Sequence, residues 1–260
     1  MVAMIQTESI IMDQTTSARS IVDIFGFCGI SVLVDYIGGP SANDFVITED
    51  SSNLDLNPTE KLNIALDMAE GIAELHGFEW GVTVNNDIQY VQFLLDENKR
   101  AYLSDFNRAA PMSWDEENEE YCGYYEGRAN GELRAPEEYM EELLDEKIDV
   151  FSFGNVLYTL LTRRESYDMM DDYYEEWRPL VVQGIVQTIN SEIKGNSFAE
   201  SALSSVMEKC FEYYPAQRLD IFKVVSLLRD AVKMNSELEN IVVTTEVKIP
   251  EDYYEHEEEE

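Results

Sequence analysis

Two aspartates, Asp87 and Asp105, bracket a short stretch whose residue types could hold a metal ion and move a proton. Between them the apolar run Phe93-Leu94-Leu95 and the alternating Ala101-Tyr102-Leu103 flank Asp96-Glu97-Asn98-Lys99. That is a turn-forming composition, so the spacing predicts a two-stranded ribbon with the two acids at its ends, on one side of the molecule. Together with the amide of Gln92 at the base of the first strand, they could clamp a divalent cation and its attached phosphates, because hard cations take oxygen ligands. Capping a turn is the plainer job for a loop aspartate, and spacing alone favours it.

Several elements must position this stretch. Residues 1–16 suggest a helix fragment. Ile21 to Cys28 and Ser31 to Ile37 are apolar, β-branched runs parted by Gly29, a hairpin signal that Gly38-Gly39-Pro40 ends. Residues 43–57 are polar and loop-like. Asn57-Pro58-Thr59-Glu60 then reads as a helix start, with a cap, a proline in the first turn and a glutamate three residues after the cap. Leu62, Ala65, Met68, Ala69, Ile72 and Leu75 follow at helical spacing up to Gly77, and His76 beside that stop is expected to answer the helix dipole. Residues 146–162 are apolar nearly all round, which predicts a helix buried on every side, with Asp149 in its first turn in need of donors. Further helices are expected at 173–190, 199–213 and 220–234, before acid takes over from Ser236.

The stretch resembles the catalytic loop and metal-binding motif of protein kinases, H-R-D-L-x-x-x-N followed by D-F-G. Here it reads Asn85-Asn86-Asp87-Ile88-x-x-x-Gln92 and Asp105-Phe106-Asn107. Arg134-Ala135-Pro136-Glu137 resembles the A-P-E that closes the activation segment. Asp149 to Gly154 resembles the start of the family's buried central helix, and Pro215-Ala216-Gln217-Arg218 its later P-x-x-R. Four motifs in the family's order are far more specific than any one.

The resemblance implies an α+β, two-lobed fold: an incomplete small lobe over 1–37, a mainly helical large lobe over 38–235 and an acidic disordered tail over 236–260. It implies ATP and Mg2+ as cofactors, with Val34 as gatekeeper and Asp35, Tyr36 and Ile37 as the hinge along an adenine ring. Asp87 would be the catalytic base, and Asp105 with Gln92 the metal ligands. Glu137 would pair with Arg218, and Asp149 would hold the backbone of the catalytic loop. Tyr121, Tyr124 and Tyr125, in the long segment 108–134, are candidate phosphorylation sites or packing aromatics.

Several departures stand against phosphoryl transfer, which rests on positioning and charge neutralisation. The first lysine is Lys61, beyond the hinge, and no Gly-x-Gly-x-x-Gly precedes Ile21. Glu8, near the place of the family's paired glutamate, has no lysine to meet. Asn85 and Asn86 stand for His and Arg, so packing on the second motif and the phosphate-reading arginine are both expected to be lost. Asn107 replaces a glycine, a mild exchange if the position takes positive φ. Two readings follow: a kinase large lobe whose upstream strands lie outside these residues, or a pseudokinase that serves as a binding scaffold.

Composition limits the partners. The net charge of −35 serves solubility first; it also repels phosphate backbones and anionic lipid and draws basic groups, so a protein partner or substrate, basic where the charge selects it, is expected and nucleic acid and membrane are not. Eight carboxylates and one lysine in 246–260 account for only −7 of it. Cys28, Cys122 and Cys210 are odd in number and widely spaced, which fits a reducing, cytoplasmic setting and not a disulfide framework.

Overall fold

The computed structural model describes residues 2–16, 18–39, 55–127, 131, 133–167, 177–189 and 197–245. The expected acidic stretch 246–260, most of the 43–57 loop and the start of the helix expected at 173 lie outside them.

Helix α1 (Val2–Gln14) lies against β1 (Ile24–Cys28), which pairs antiparallel with β2 (Ser31–Val34). Gly29 turns the hairpin at φ 64°, in the region where an added Cβ is strained. Both strands are shorter than their apolar runs, because tertiary partners claim the ends. Glu74 accepts the amides of Arg19 and Ser20, each at 2.9 Å, and the chain then trades backbone hydrogen bonds with Leu103, through Leu103 N–H to Ser20 and Val22 N–H to Leu103. At the far end the Asp35 amide donates to Asp23 (2.9 Å), and that of Gly39 to Leu95 (3.1 Å). The small unit is thus stitched to the large one by backbone.

Helix α2 (Pro58–His76) begins as its sequence demands. The Asn57 side chain accepts from Glu60 N–H and the Glu60 carboxylate accepts from Asn57 N–H, a capping box with proline in the first turn. Gly71 lets the helix touch the 18–22 segment, since a Cβ there would sit 2.6 Å from the Ser20 carbonyl oxygen. Lys61, the first lysine of the chain, is engaged inside the large lobe, paired with buried Glu200 at 3.2 Å and donating to the Leu161 carbonyl.

Strand β3 (Thr83–Val84) leads into the loop carrying Asp87. A single 3-10 turn (Tyr90–Gln92) follows, then β4 (Phe93–Leu95) and β5 (Ala101–Leu103), paired antiparallel as expected. Asp96 closes their turn by accepting from the amides of Asn98 and Arg100. Strand β6 (Ala110–Pro111) returns to pair with β3, which brings the Asp105 loop beside the Asp87 loop. A small ribbon, β7 (Trp114–Asp115) with β8 (Glu120–Tyr121), carries an edge-on contact between Trp114 and Tyr121.

The remaining core is helical. After the short α3 (Pro136–Tyr139), α4 (Lys147–Thr162) is buried along nearly its whole length, as an all-apolar helix must be. Around α2 and α4 pack α6 (Phe198–Cys210) and α7 (Ile221–Thr245). The helix expected over 173–190 is the six-residue α5 (Trp177–Val182), and the chain turns away at Gly184, where φ is 76°.

Helix α7 also corrects the boundary expected at 236, because it continues to Thr245. Tertiary contact prolongs it: Asn235 donates to Thr59 and to Glu239, and the Thr59 hydroxyl donates to Glu239, pinning its later turns to the start of α2.

Candidate active site

The centre of the site is Asp149, at the start of α4 and 1 % exposed. Its Oδ2 accepts from Asn85 N–H (2.6 Å) and contacts His76 Nε2 (2.9 Å), while Oδ1 accepts from Asn86 N–H (3.0 Å). Three donors from two segments therefore satisfy one buried carboxylate and set the loop that presents Asp87. His76, expected to answer the α2 dipole, is instead part of this cluster, because the end of α2 is buried against α4. Asp149→Ala would strand the amides of Asn85 and Asn86 and the His76 ring, each buried polar group costing about 1–3 kcal/mol. Chemical denaturation should register a loss well above 1 kcal/mol, and one within about 0.5 kcal/mol, typical of a surface change, would contradict the cluster.

Asn86 takes φ 63° and Asp105 φ 59°, both in the left-handed region. Asn and Asp enter that region at the lowest cost after glycine, which suits both positions. Asn107, where a positive φ would have suited asparagine, does not adopt it; the turn is made two residues earlier, where Asp105 Oδ1 accepts from Asn107 N–H (3.2 Å).

The two asparagines also do more than their replacement of His and Arg suggests. Asn85 Nδ2 donates to the Asp105 carbonyl (3.2 Å) and its Oδ1 accepts from Asp87 N–H (3.0 Å), so one side chain ties both acidic loops together. The expected loss of packing on the second motif is compensated by this hydrogen bond. Asn86 Nδ2 donates to the Arg108 carbonyl (3.1 Å) and its Oδ1 accepts from the Tyr124 hydroxyl. Tyr124 is accordingly a packing tyrosine, its hydroxyl pushed to a higher pKa first by burial and then by the charge of Asp149. Tyr125 is exposed.

Asp87 is not free. Its Oδ1 accepts from Arg134 Nη2 (2.7 Å) and Gln89 Nε2 (2.8 Å), and its Oδ2 from Gln92 Nε2 (3.3 Å). Arg134 also donates to the Asn86 carbonyl and lies 3.5 Å from Glu138. Burial works against the Arg134 charge, but Glu138 and Asp87 outweigh it and hold the guanidinium protonated. Neither Arg134 nor Gln89 was expected here. The one signal for Arg134 was a basic residue, directly before Ala135-Pro136-Glu137, in a strongly acidic segment. A cleft of about 320 Å³ opens beside Asp87, lined by Gln89, Tyr90, Leu133, Arg134 and Glu165.

Glu138, buried beneath Arg134, has its carboxyl raised from the ordinary 4.5 to about 8, chiefly by burial. A carboxyl raised in the folded state favours folding most below its unfolded pKa, and that contribution is lost as pH rises through the folded value. Stability should therefore fall between about pH 4.5 and 8, and Glu138→Gln should flatten the fall in urea titrations at stepped pH. An unchanged pH profile would refute this.

A magnesium nucleotide fits the residues present only in part. Asp105 offers a carboxylate, and the half-buried Glu8 lies near enough that burial, then the Asp105 charge, raises its pKa, while the Phe106 amide donates to it. The Gln92 amide nitrogen is turned to Asp87, and Arg19 is the only basic residue in 1–39, so these residues offer little to grip a triphosphate. Val34 and Tyr36 of the expected hinge are exposed. Further along, Glu137 and Arg218 form a buried bidentate pair at 2.6 and 3.1 Å.

The family model for protein tyrosine and serine/threonine kinases matches residues 1–228. This chain belongs to the protein kinase family. Among curated proteins, the nodulation receptor kinase of Pisum sativum is 30 % identical over 82 % of the chain and 24 % of its own length. The serine/threonine-protein kinase PBL13 of Arabidopsis thaliana is 33 % identical over 68 % of the chain and 37 % of its own length. The dual specificity protein kinase shkB of Dictyostelium discoideum is 30 % identical over 60 % and 22 %. The chain thus spans well under two thirds of the length of these relatives. As a kinase domain it has an α+β fold whose small lobe, among the described residues, is one helix and two strands. No helix among them is long and apolar enough to cross a membrane.

Proposed function

We propose that this kinase domain, as these residues build it, acts as a protein-binding scaffold in the cytoplasm, with its phosphoryl-transfer machinery held closed. The observation that carries this is the engagement of Asp87 by Arg134, Gln89 and Gln92, which takes three of the about four lone-pair sites of the carboxylate and leaves a general base little room for the substrate hydroxyl. Residues 1–39 supply no lysine for the phosphates, and Val34 and Tyr36 of the hinge are exposed. The charge of −35 suits a basic protein partner.

A second reading is ATP-dependent phosphoryl transfer to a protein hydroxyl, with Asp87 as base and Asp105, helped by Gln92, on magnesium. It is favoured by the Asp149 cluster, which holds the Asp87 loop in a defined conformation at the mouth of a cleft. ATP bound with its metal would supply the transferable phosphoryl group; Arg134 would have to leave Asp87 first.

Thermal unfolding with and without millimolar ATP and Mg2+ separates the two. A native-state ligand at 100 times its Kd stabilises by about 2.7 kcal/mol. On the scaffold reading the Tm does not move. A magnesium-dependent rise that Asp105→Ala abolishes would overturn it in favour of transfer.

A further inference from the structure

We infer that the β7–β8 ribbon, flanked by Trp80, is a docking surface for an arginine-rich segment of a partner protein, which lays guanidinium groups on exposed aromatic rings inside a border of carboxylates. This deepens the scaffold reading by naming the kind of partner. It rests on residues 79–81 and 112–122, none of which lines the cleft beside Asp87.

Two of the chain's three tryptophans face solvent here. Trp80 is 78 % exposed and Trp114 50 %, whereas Trp177 is buried and donates its indole N–H to Tyr139. The register of the ribbon sets Trp114 opposite Tyr121, so both rings stand on one face, 4.9 Å apart at 74°. Gly81 passes beside Tyr121, close enough that a Cβ there would lie 3.5 Å from its ring, so Trp80 flanks the ribbon. The base of the ribbon is fixed: Met112 N–H donates to the Val82 carbonyl and Cys122 N–H to that of Ser113, each at 2.8 Å. Tryptophan and tyrosine are the residue types that dominate binding energy at protein interfaces, and here an anchored backbone holds them out in water.

The border is acidic. Residues 115–120 hold Asp115, Glu116, Glu117, Glu119 and Glu120, and 109–127 contain no lysine, arginine or histidine. Asp115 is used inside the turn, where it accepts from the amides of Glu117 (2.8 Å) and Asn118 (3.2 Å). The four glutamates are exposed. Asp115 also stands opposite Glu120, and like charges across a strand pair are destabilising, so the ribbon bears a repulsion that a bound cation would relieve.

Rings and carboxylates together select arginine. An aromatic face attracts a cation, and the planar guanidinium stacks on it and is more weakly hydrated than an ammonium. The glutamates repel an acidic segment, and a second copy would bring the same acids and a charge of −35 against this ribbon. An arginine-rich segment answers both features at once.

The test uses the full 260-residue chain, isotope-labelled, and three peptides: Arg-Gly-Arg-Ser-Arg-Gly-Arg, its counterpart with lysine for arginine and its counterpart with glutamine. The arginine peptide should shift the indole N–H signals of Trp114 and Trp80 and leave that of Trp177 in place. It should bind about two- to fivefold tighter than the lysine peptide of equal charge, the worth of one exposed cation–π contact, and the glutamine peptide should not bind. Trp114→Leu keeps an apolar partner for Tyr121 and should lower affinity for the arginine peptide by that same factor. The quadruple variant Glu116→Gln, Glu117→Gln, Glu119→Gln, Glu120→Gln should weaken binding about tenfold, within the range for four exposed ion pairs. A Tm no lower than the parent's would show that both variants fold. Trp80→Ala, outside the ribbon, should also lower affinity and repeats the aromatic test on an intact ribbon.

An unmoved Trp114 signal, or equal binding of the arginine and glutamine peptides, would overturn the inference. So would full affinity in the quadruple variant, or a shift confined to the side-chain amide of Gln89, which would seat the peptide in the cleft beside Asp87. A dimer in sedimentation that Trp114→Leu dissolves would overturn it too, by making the occupant a second copy. Phosphoryl transfer to the peptide by a chain whose Trp114 signal still shifts would end the scaffold reading alone, and an unmoved Trp114 leaves the evidence at Asp87 standing.

Discussion

Arg218→Met is expected to lower the unfolding free energy by about 3–5 kcal/mol, the usual consequence of stranding one partner of a buried ion pair. Few side chains in the protein are as fully used. Its Nη1 and Nη2 take both oxygens of Glu137, while Nε, Nη1 and Nη2 also donate to the carbonyls of Glu212 (2.8 Å), Lys147 (2.9 Å) and Tyr213 (3.1 Å). The guanidinium lies 5.0 Å from the centre of the Phe151 ring. The residue therefore joins α3, the start of α4 and the segment after α6, and methionine would fill the volume while leaving Glu137 charged and alone. Arg218→Lys should recover little, because an ammonium cannot form the planar fork. Urea unfolding of Arg218→Met, Glu137→Gln and the double variant would show coupling of about 0.5–3 kcal/mol. Additive losses would mean that the pair is not the unit described.

The second large effect is expected at Arg134, and its sign depends on what is read. Arg134→Met should cost stability, about 3–5 kcal/mol at most, because Glu138 and Asp87 lose the cation between them. Glu138 can escape by binding a proton, since its carboxyl already sits near 8, so the cost should be smaller at pH 6 than at pH 8. Glu138→Gln in the same chain should return part of the loss at pH 8. The same change also uncovers Asp87. If the closed site alone prevents transfer, Arg134→Met with ATP and Mg2+ would show phosphorylation of a basic peptide that Asp87→Asn abolishes. The scaffold reading, in which residues 1–39 also offer no lysine to the phosphates, expects none. A measurable rate would therefore sink that reading, and a stability cost equal at both pH values would sink the account of Glu138.

Much of the scaffold was legible before any coordinates, and for one reason: its signals are local. The capping box at Asn57 to Glu60 needs four consecutive residues, and the turn between β4 and β5 needs Asp96 and the amides just after it. The burial of α4 follows from its lack of a polar face. The order of the four motifs pointed to the kinase family because each carries a fixed backbone role.

The state of the site was not legible, because it depends on which distant donors meet a carboxylate. Arg134 reaches Asp87 across 47 positions, and His76 reaches Asp149 across 73. No periodicity links such pairs; burial selects them, since a charge removed from water must find whatever donor the packing supplies. The same holds for the positive φ at Asp105 instead of Asn107, and for α7, which runs past 236 because Asn235 and Glu239 find Thr59. The sequence alone determined that this is a kinase domain, through four motifs in the family's order. Only the tertiary structure decided that Asp87 is engaged by Arg134, because the distance between a carboxylate and a guanidinium is set by the packing of the whole chain around them.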